Sequence, residues 1–206
     1  MLDDQVGVLG ALFAQPFTST LLGAVLAHDY ETHRHLLNVG ILCARVGMTA
    51  GFSQPEAIAL GQAGLFHDVG KLFIRGSLLN ARYVVSEAEW RILRAHAARG
   101  EQMLHANGAP VLAAVVRGHH ERLDGSGYPD GLRGLAISWE TRLLSVVDAY
   151  DAMRSGRAYA AALPHDEAVG RLAEARTLFD PDALEVLLAT LGAENTTQRK
   201  AVTPIS

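Results

Sequence analysis

Histidine and carboxylate residues recur along this chain at intervals that suit the assembly of a metal site. The densest stretch is His119-His120-Glu121-Arg122-Leu123-Asp124-Gly125-Ser126-Gly127-Tyr128-Pro129, preceded by His67-Asp68-Val69-Gly70-Lys71 and followed by Asp148-Ala149-Tyr150-Asp151-Ala152. Glu31 and His35 are four residues apart, which places both on one side of a helix, a turn from each other. His67-Asp68 sets an imidazole beside a carboxylate, and a carboxylate can bridge two cations. His96 is expected in the middle of a helix. His119 and His120 close another that begins near Pro110. Asp148 lies within the apolar run Leu143-Leu144-Ser145-Val146-Val147, where an unpaired carboxylate is costly. Five helices thus each offer nitrogen and oxygen ligands of the kind used by first-row transition metals. Any one of these patterns occurs by chance in many proteins; their order along one chain does not. Lys71 follows His67 and Asp68 by one helical turn, where an ammonium suits an anionic substrate such as a phosphodiester. Gly125, Gly127 and Pro129 shape a loop that would hold the Tyr128 ring near the metals. His28, His33, His105 and His165 fall outside the constellation.

The elements that must position these groups are helical. Leu36, Val39, Cys43 and Val46 recur at steps of three and four, the mark of one buried helix face. Ser53-Gln54-Pro55-Glu56 and Ser86-Glu87-Ala88-Glu89 read as capping boxes that open helices. Asn107-Gly108 closes one helix and Pro110 starts the next. Asp180-Pro181 opens a last amphipathic helix with Leu184, Leu187, Leu188 and Leu191, expected to stop at Gly192. No alternating strand pattern of useful length is present. The expected fold is therefore all-α, a compact multi-helix bundle with the metal site between helices. The expected organisation is a helical extension over 1–26, a catalytic unit over 27–192 and a frayed polar tail over 193–206. The irregular segments 76–85 and 123–137 are long enough to suggest function.

Bulk properties narrow the function. A chain of 206 residues with 49% hydrophobic and 19% charged residues can bury a real core and is not disordered. Its net charge of −4 argues against general affinity for DNA, RNA or anionic membranes, so an anionic ligand must be caught locally. The single cysteine, Cys43, suits a reducing cytoplasm. Asp3 and Asp4 stand where an export signal needs basic residues, and the apolar run 21–27 is too short to span a bilayer.

Taken in order, these motifs resemble the HD-GYP domains, a branch of the HD metal-dependent phosphohydrolases. The resemblance is carried by His67-Asp68-x-Gly70-Lys71, by His119-His120-Glu121-x-x-Asp124-Gly125-x-Gly127-Tyr128-Pro129 and by Asp148-x-Tyr150-Asp151-Ala152. The run from His28 to His35 and Phe179-Asp180-Pro181 add to it, so that it covers roughly 27–192. It implies an all-helical domain with two or three divalent metals, iron or manganese, that hydrolyses cyclic di-GMP to pGpG, with a third metal allowing a further cut to GMP. By motif position His35, His67, Asp68, His96, His119, His120 and Asp148 match the metal ligands, with Asp68 as the bridge. Glu31 matches a glutamate that in some members helps to hold a third metal. Lys71 and Arg157 match contacts to substrate phosphate or guanine. One departure stands out: where the family reads Arg-Pro-Tyr followed by Arg or Lys, this chain reads Arg157-Ala158-Tyr159-Ala160. The second basic residue is missing, which opens the alternative of a different nucleotide substrate. A catalytically silent binding module is a further alternative.

Overall fold

The computed structural model describes residues 2–155 and 161–201, with side chains described over 7–155 and 161–193. Ten α-helices lie among the described residues: α1 (Leu2–Leu12), α2 (Pro16–His28), α3 (Tyr30–Thr49), α4 (Gln54–Phe66), α5 (Gly76–Leu79), α6 (Glu87–Ala106), α7 (Pro110–Gly118), α8 (Trp139–Ser155), α9 (His165–Glu174) and α10 (Pro181–Ala201). Short 3-10 turns cover Val69–Phe73 and Gly134–Ala136, and no strand occurs among the described residues. The all-α expectation holds.

Local chemistry sets the helix starts. Asp29 caps α3, its carboxylate accepting from the Thr32 N–H at 2.7 Å. Ser86 caps α6 reciprocally: its hydroxyl accepts from Glu89 N at 3.3 Å while the Glu89 carboxylate accepts from Ser86 N at 2.7 Å. At Ser53 the Glu56 carboxylate likewise accepts from the backbone N–H, at 2.8 Å. The last helix departs from expectation. It does not stop at Gly192 but continues to Ala201. An interior glycine costs a helix only about 1 kcal/mol relative to alanine, and the Ala, Glu, Gln, Arg and Lys that follow are good helix formers.

α3 packs against α4 and α8, and α6 packs against α7. Their shared faces bury two apolar clusters. One joins Val39, Cys43 and Val46 of α3 to Leu143, Leu144, Val146 and Val147 of α8. The other joins Leu12, Leu21, Leu22 and Val25 to Leu36, Leu65, Phe66 and Val69, so the N-terminal helices share the core of the unit they precede. The histidines and acids sit where α3, α4, α6, α7 and α8 converge. Gly70 makes that convergence possible: a Cβ there would stand 1.9 Å from the His96 carbonyl oxygen. Only glycine lets the turn after His67-Asp68 press against α6.

Candidate metal centre

Three histidines of the cluster are each aimed by the backbone of their own helix. His67 ends α4 and donates Nδ1–H to the Gly64 carbonyl at 2.8 Å. His119 ends α7 and donates to the Val116 carbonyl at 2.5 Å. His96, inside α6, donates to the Leu93 carbonyl at 2.6 Å. In all three the carbonyl lies three residues back, and a carbonyl can only accept. In the neutral ring the proton is thereby held on Nδ1, and Nε2 faces the centre as the atom that can bind a metal. His35 is aimed differently. Its Nδ1–H is taken by Asp151 at 2.6 Å and its Nε2 lies 3.0 Å from Asp148 Oδ1. Asp151 is itself fixed by Asn38, which donates to its other oxygen at 3.1 Å.

Three overlapping groups result: Asp68 with His96, His119 and His120; Asp68 with His35 and His67; and Asp148 with His67 and His119. Within each, one ligand atom per residue lies within 4.8 Å of the others. Asp68 belongs to two groups. Its Oδ1 is 3.1 Å from His96 Nε2, and its Oδ2 is 3.4 Å from His67 Nε2. The donor set passes a specific test. His67 Nε2 and Asp68 Oδ1 are fully buried, yet neither has a hydrogen bond. Two buried polar atoms left bare in one spot are costly, and a shared cation would satisfy both. His96 Nε2 and His119 Nε2 face each other at 3.2 Å, another arrangement that a cation between lone pairs relieves.

The electrostatics agree. Burial, reinforced by the neighbouring imidazoles, holds His119 well below the ordinary histidine value, and burial takes His120 down to about 3. Both are neutral near pH 7, as metal ligands must be. Burial opposes charge on Asp68, but Lys71 and His67 outweigh it and keep the carboxyl well below its usual range. Asp148 is depressed likewise, burial being overcome by His35 and His67. His67 is the exception: burial works against its protonation, but Asp68 and Asp148 lift it to about 10.

Seven expected ligands, His35, His67, Asp68, His96, His119, His120 and Asp148, are thus brought together. Lys71 reaches back to Asp68 in a direct ion pair and remains partly exposed. Tyr128 tilts over His120, ring centroids 4.7 Å apart. Glu31 is not brought in. Its carboxylate pairs with Arg34 at 2.6 Å and is 63% exposed. Arg157 and Ala160 lie outside the described residues. Of the histidines set aside, His28 bonds the Ile74 carbonyl at 2.9 Å and His165 the Tyr150 hydroxyl at 2.9 Å.

Three residues went unread in the sequence. Asp151 is the partner of His35, and its spacing of three from Asp148 on one helix face was a usable signal. Glu121 is buried, and its carboxylate accepts the backbone N–H groups of Asp130, Gly131 and Leu132 at 2.7, 3.1 and 2.9 Å. That fastens the loop carrying Tyr128. Gly127 lets the loop fold tightly, since a Cβ there would lie 2.5 Å from the Glu121 Cα and the His120 carbonyl. Arg122 donates to Ser145 Oγ at 2.8 Å and stacks on Phe179 at 4.7 Å, tying the loop base to α8.

A family profile described as HD domain matches residues 19–183. The chain belongs to the HD-domain family, and its ordered motifs are those of the HD-GYP type. It is 36% identical over 175 residues to the 3'3'-cGAMP-specific phosphodiesterase 3 of Vibrio cholerae, covering 84% of this chain and 38% of that protein. It is 34% identical over 164 residues to the cyclic di-GMP phosphodiesterase of Thermotoga maritima, covering 78% of this chain and 45% of that protein. The chain therefore spans less than half the length of these relatives. Among solved structures, a cyclic GMP-AMP specific phosphodiesterase of V. cholerae superposes with a TM-score of 0.65 at 18% identity, over 92% of this chain and 53% of that one. The HD domain of an L. monocytogenes phosphodiesterase gives 0.64 at 14% identity, over 87% of this chain and 98% of that one. These likenesses establish the fold. Among the described residues no helix is long and apolar enough to cross a membrane.

Proposed function

We propose that the chain is a metal-dependent phosphodiesterase that hydrolyses cyclic di-GMP to pGpG. The observation that carries this is the convergence of seven His and Asp side chains on two bare buried atoms, His67 Nε2 and Asp68 Oδ1. The relatives named above as phosphodiesterases of cyclic dinucleotides support it. Two metal positions, of iron or manganese, are compatible with the overlapping groups: His96, His119 and His120 with Asp68 would hold one, and His35, His67 and Asp148 with Asp68 would hold the other. When bound, such ions polarise the phosphoryl oxygens and lower the pKa of water enough to supply a nucleophile near neutral pH. The remaining work belongs to the chain. Asp68 keeps its charge through Lys71, and Lys71, partly exposed, retains N–H donors for a non-bridging phosphate oxygen. Burial, with help from Asp68 and Asp148, raises the Tyr128 phenol above its ordinary value, so it stays a neutral O–H donor beside His120. The loop fastened by Glu121 holds that ring in place. A third ion near Glu31, and with it the further cut to GMP, finds less support, because Glu31 is spent on Arg34 in the open.

A second reading keeps the chemistry and changes the substrate. The relatives include enzymes named for cyclic di-GMP and for 3'3'-cGAMP, and Ala160 removes a basic residue expected to contact substrate. Protein purified without oxygen, assayed for metal content and for products of a cyclic dinucleotide panel, tests both. Asp68→Ala should strip the metal and abolish turnover with helical circular dichroism retained. Full turnover in that variant overturns the metal-centre reading; turnover of cyclic GMP-AMP but not cyclic di-GMP replaces the first substrate with the second.

A further inference from the structure

Beyond the ligand cluster, the contacts continue outward from Tyr128 to two residues that the mechanism does not use, Arg94 and Trp90. Tyr128 lies on His120, and the Arg94 guanidinium lies 5.5 Å from the Tyr128 ring centroid. The same guanidinium is 5.4 Å from the ring of Trp90, one helical turn earlier on α6. Trp90 is 43% exposed, although a tryptophan leaves water at a large gain. Arg94 is exposed too, and among the described residues its guanidinium makes no hydrogen bond and no ion pair. The neighbouring arginines of the site are used otherwise: Arg99 donates to the Phe73 carbonyl and Arg117 to Glu101 and Asp130. A guanidinium pinned by two rings has lost little freedom still to lose, and its planar fork of donors is unspent.

We infer that Arg94, held between Trp90 and Tyr128, is a specificity-determining residue that takes the O6 and N7 acceptors of a guanine base of the substrate. The inference rests on the phosphodiesterase reading above and names the part of the substrate that reading leaves open. Position decides between base and phosphate. The scissile phosphate must meet Asp68 and the histidines, whereas Arg94 stands one aromatic ring further out, where the nucleoside attached to that phosphate extends. Chemistry decides between bases. Guanine offers two adjacent acceptors to a bidentate fork, while adenine offers one acceptor and one donor on the same edge. Lysine can also reach both acceptors, but as a point charge on a flexible stem it is not held in alignment by the two rings as a guanidinium is.

The test is equilibrium binding of GMP and AMP to the metal-loaded protein by calorimetry, since the two share a phosphate and differ in the base. Wild type should prefer GMP by about five- to 150-fold, the range of one bidentate base contact. Arg94→Gln should bring that preference down to about twofold or less, while AMP affinity falls far less than GMP affinity, and Arg94→Lys should weaken the preference by less. In hydrolysis of cyclic di-GMP the same variants should raise KM and leave kcat within about twofold, because the contact is made before and during the reaction alike. Trp90→Ala, which frees the guanidinium, should shift the preference in the same direction by less. Equal losses of GMP and AMP affinity in Arg94→Gln would overturn the base contact in favour of a phosphate contact. A wild type that hydrolyses cyclic di-GMP without preferring GMP overturns this inference alone; one that hydrolyses no cyclic dinucleotide overturns the phosphodiesterase reading and this inference with it.

Discussion

Asp151→Asn isolates how the cluster is oriented. Asp151 is buried and takes the Nδ1–H of His35 at 2.6 Å, with Asn38 and Ser155 donating to its two oxygens at 3.1 Å each. The substitution keeps shape and volume and removes the charge. A neutral amide oxygen can still accept from His35, but it no longer makes the imidazole a stronger base, and half of the amide orientations turn an NH2 toward Nδ1–H. Partners of this kind are worth about 10- to 100-fold in metal affinity, or roughly 1.4–2.7 kcal/mol. Competition with a chelator of known affinity, read by metal analysis after gel filtration, measures the loss directly. Turnover at saturating metal should recover most of the wild-type rate, because the ligand itself remains. The cycle closes with His35→Ala: in that background Asp151→Asn should add little further loss, since the coupling runs through the imidazole. If Asp151→Asn holds metal as tightly as wild type, or if its loss simply adds to that of His35→Ala, then Asp151 does not act through His35 and the assignment of His35 as a ligand loses its main support.

Three other outcomes are expected. Glu121→Gln offers one amide oxygen and an NH2 where three backbone N–H groups now meet a carboxylate; it should lower stability by about 1.5–3 kcal/mol in urea melts and raise KM as the Tyr128 loop loosens. Gly70→Ala forces a Cβ onto the His96 carbonyl and should cost about 1–3 kcal/mol or more, with metal affinity falling alongside because the same carbonyl belongs to a ligand residue. His67 must give up a proton to bind metal, so calorimetry in buffers of different ionisation enthalpy should show proton release, and metal affinity should rise with pH up to about 10. In the metal-free protein the sign is opposite: the raised His67 contributes stability fully below its unfolded value of about 6.5 and loses that contribution as pH climbs toward 10.

Much of this centre is legible in the chain because its ligands lie in short ordered motifs on strongly periodic helices. His67-Asp68, His119-His120 and Asp148 are each embedded in apolar runs, and a polar group inside such a run has to be satisfied by something. What was illegible depends on side-chain direction. Glu31 has the right helical spacing from His35, yet it sits in the first, exposed turn of α3, where Arg34 three residues on is the nearer partner. Glu121 adjoins two ligands and looks like a third, but its carboxylate turns away into a nest of loop N–H groups that only the folded loop creates. Gly192 reads as a stop, and a helix passes through it because no left-handed turn is adopted there. Arg94 and Trp90 carry no motif at all; they matter through Tyr128, which reaches them from a distant part of the chain.

The three bonds from Nδ1 to the carbonyls of Gly64, Leu93 and Val116 carry a kinetic meaning. An imidazole moored to the peptide unit one turn behind it must break that bond before it can swing away. Two of the moorings lie at the last turns of α4 and α7, the places where a helix opens first. For an ion held by these rings, fraying of those two helix ends would be one route to release, and amide hydrogen exchange at α4 and α7 would report how often it opens.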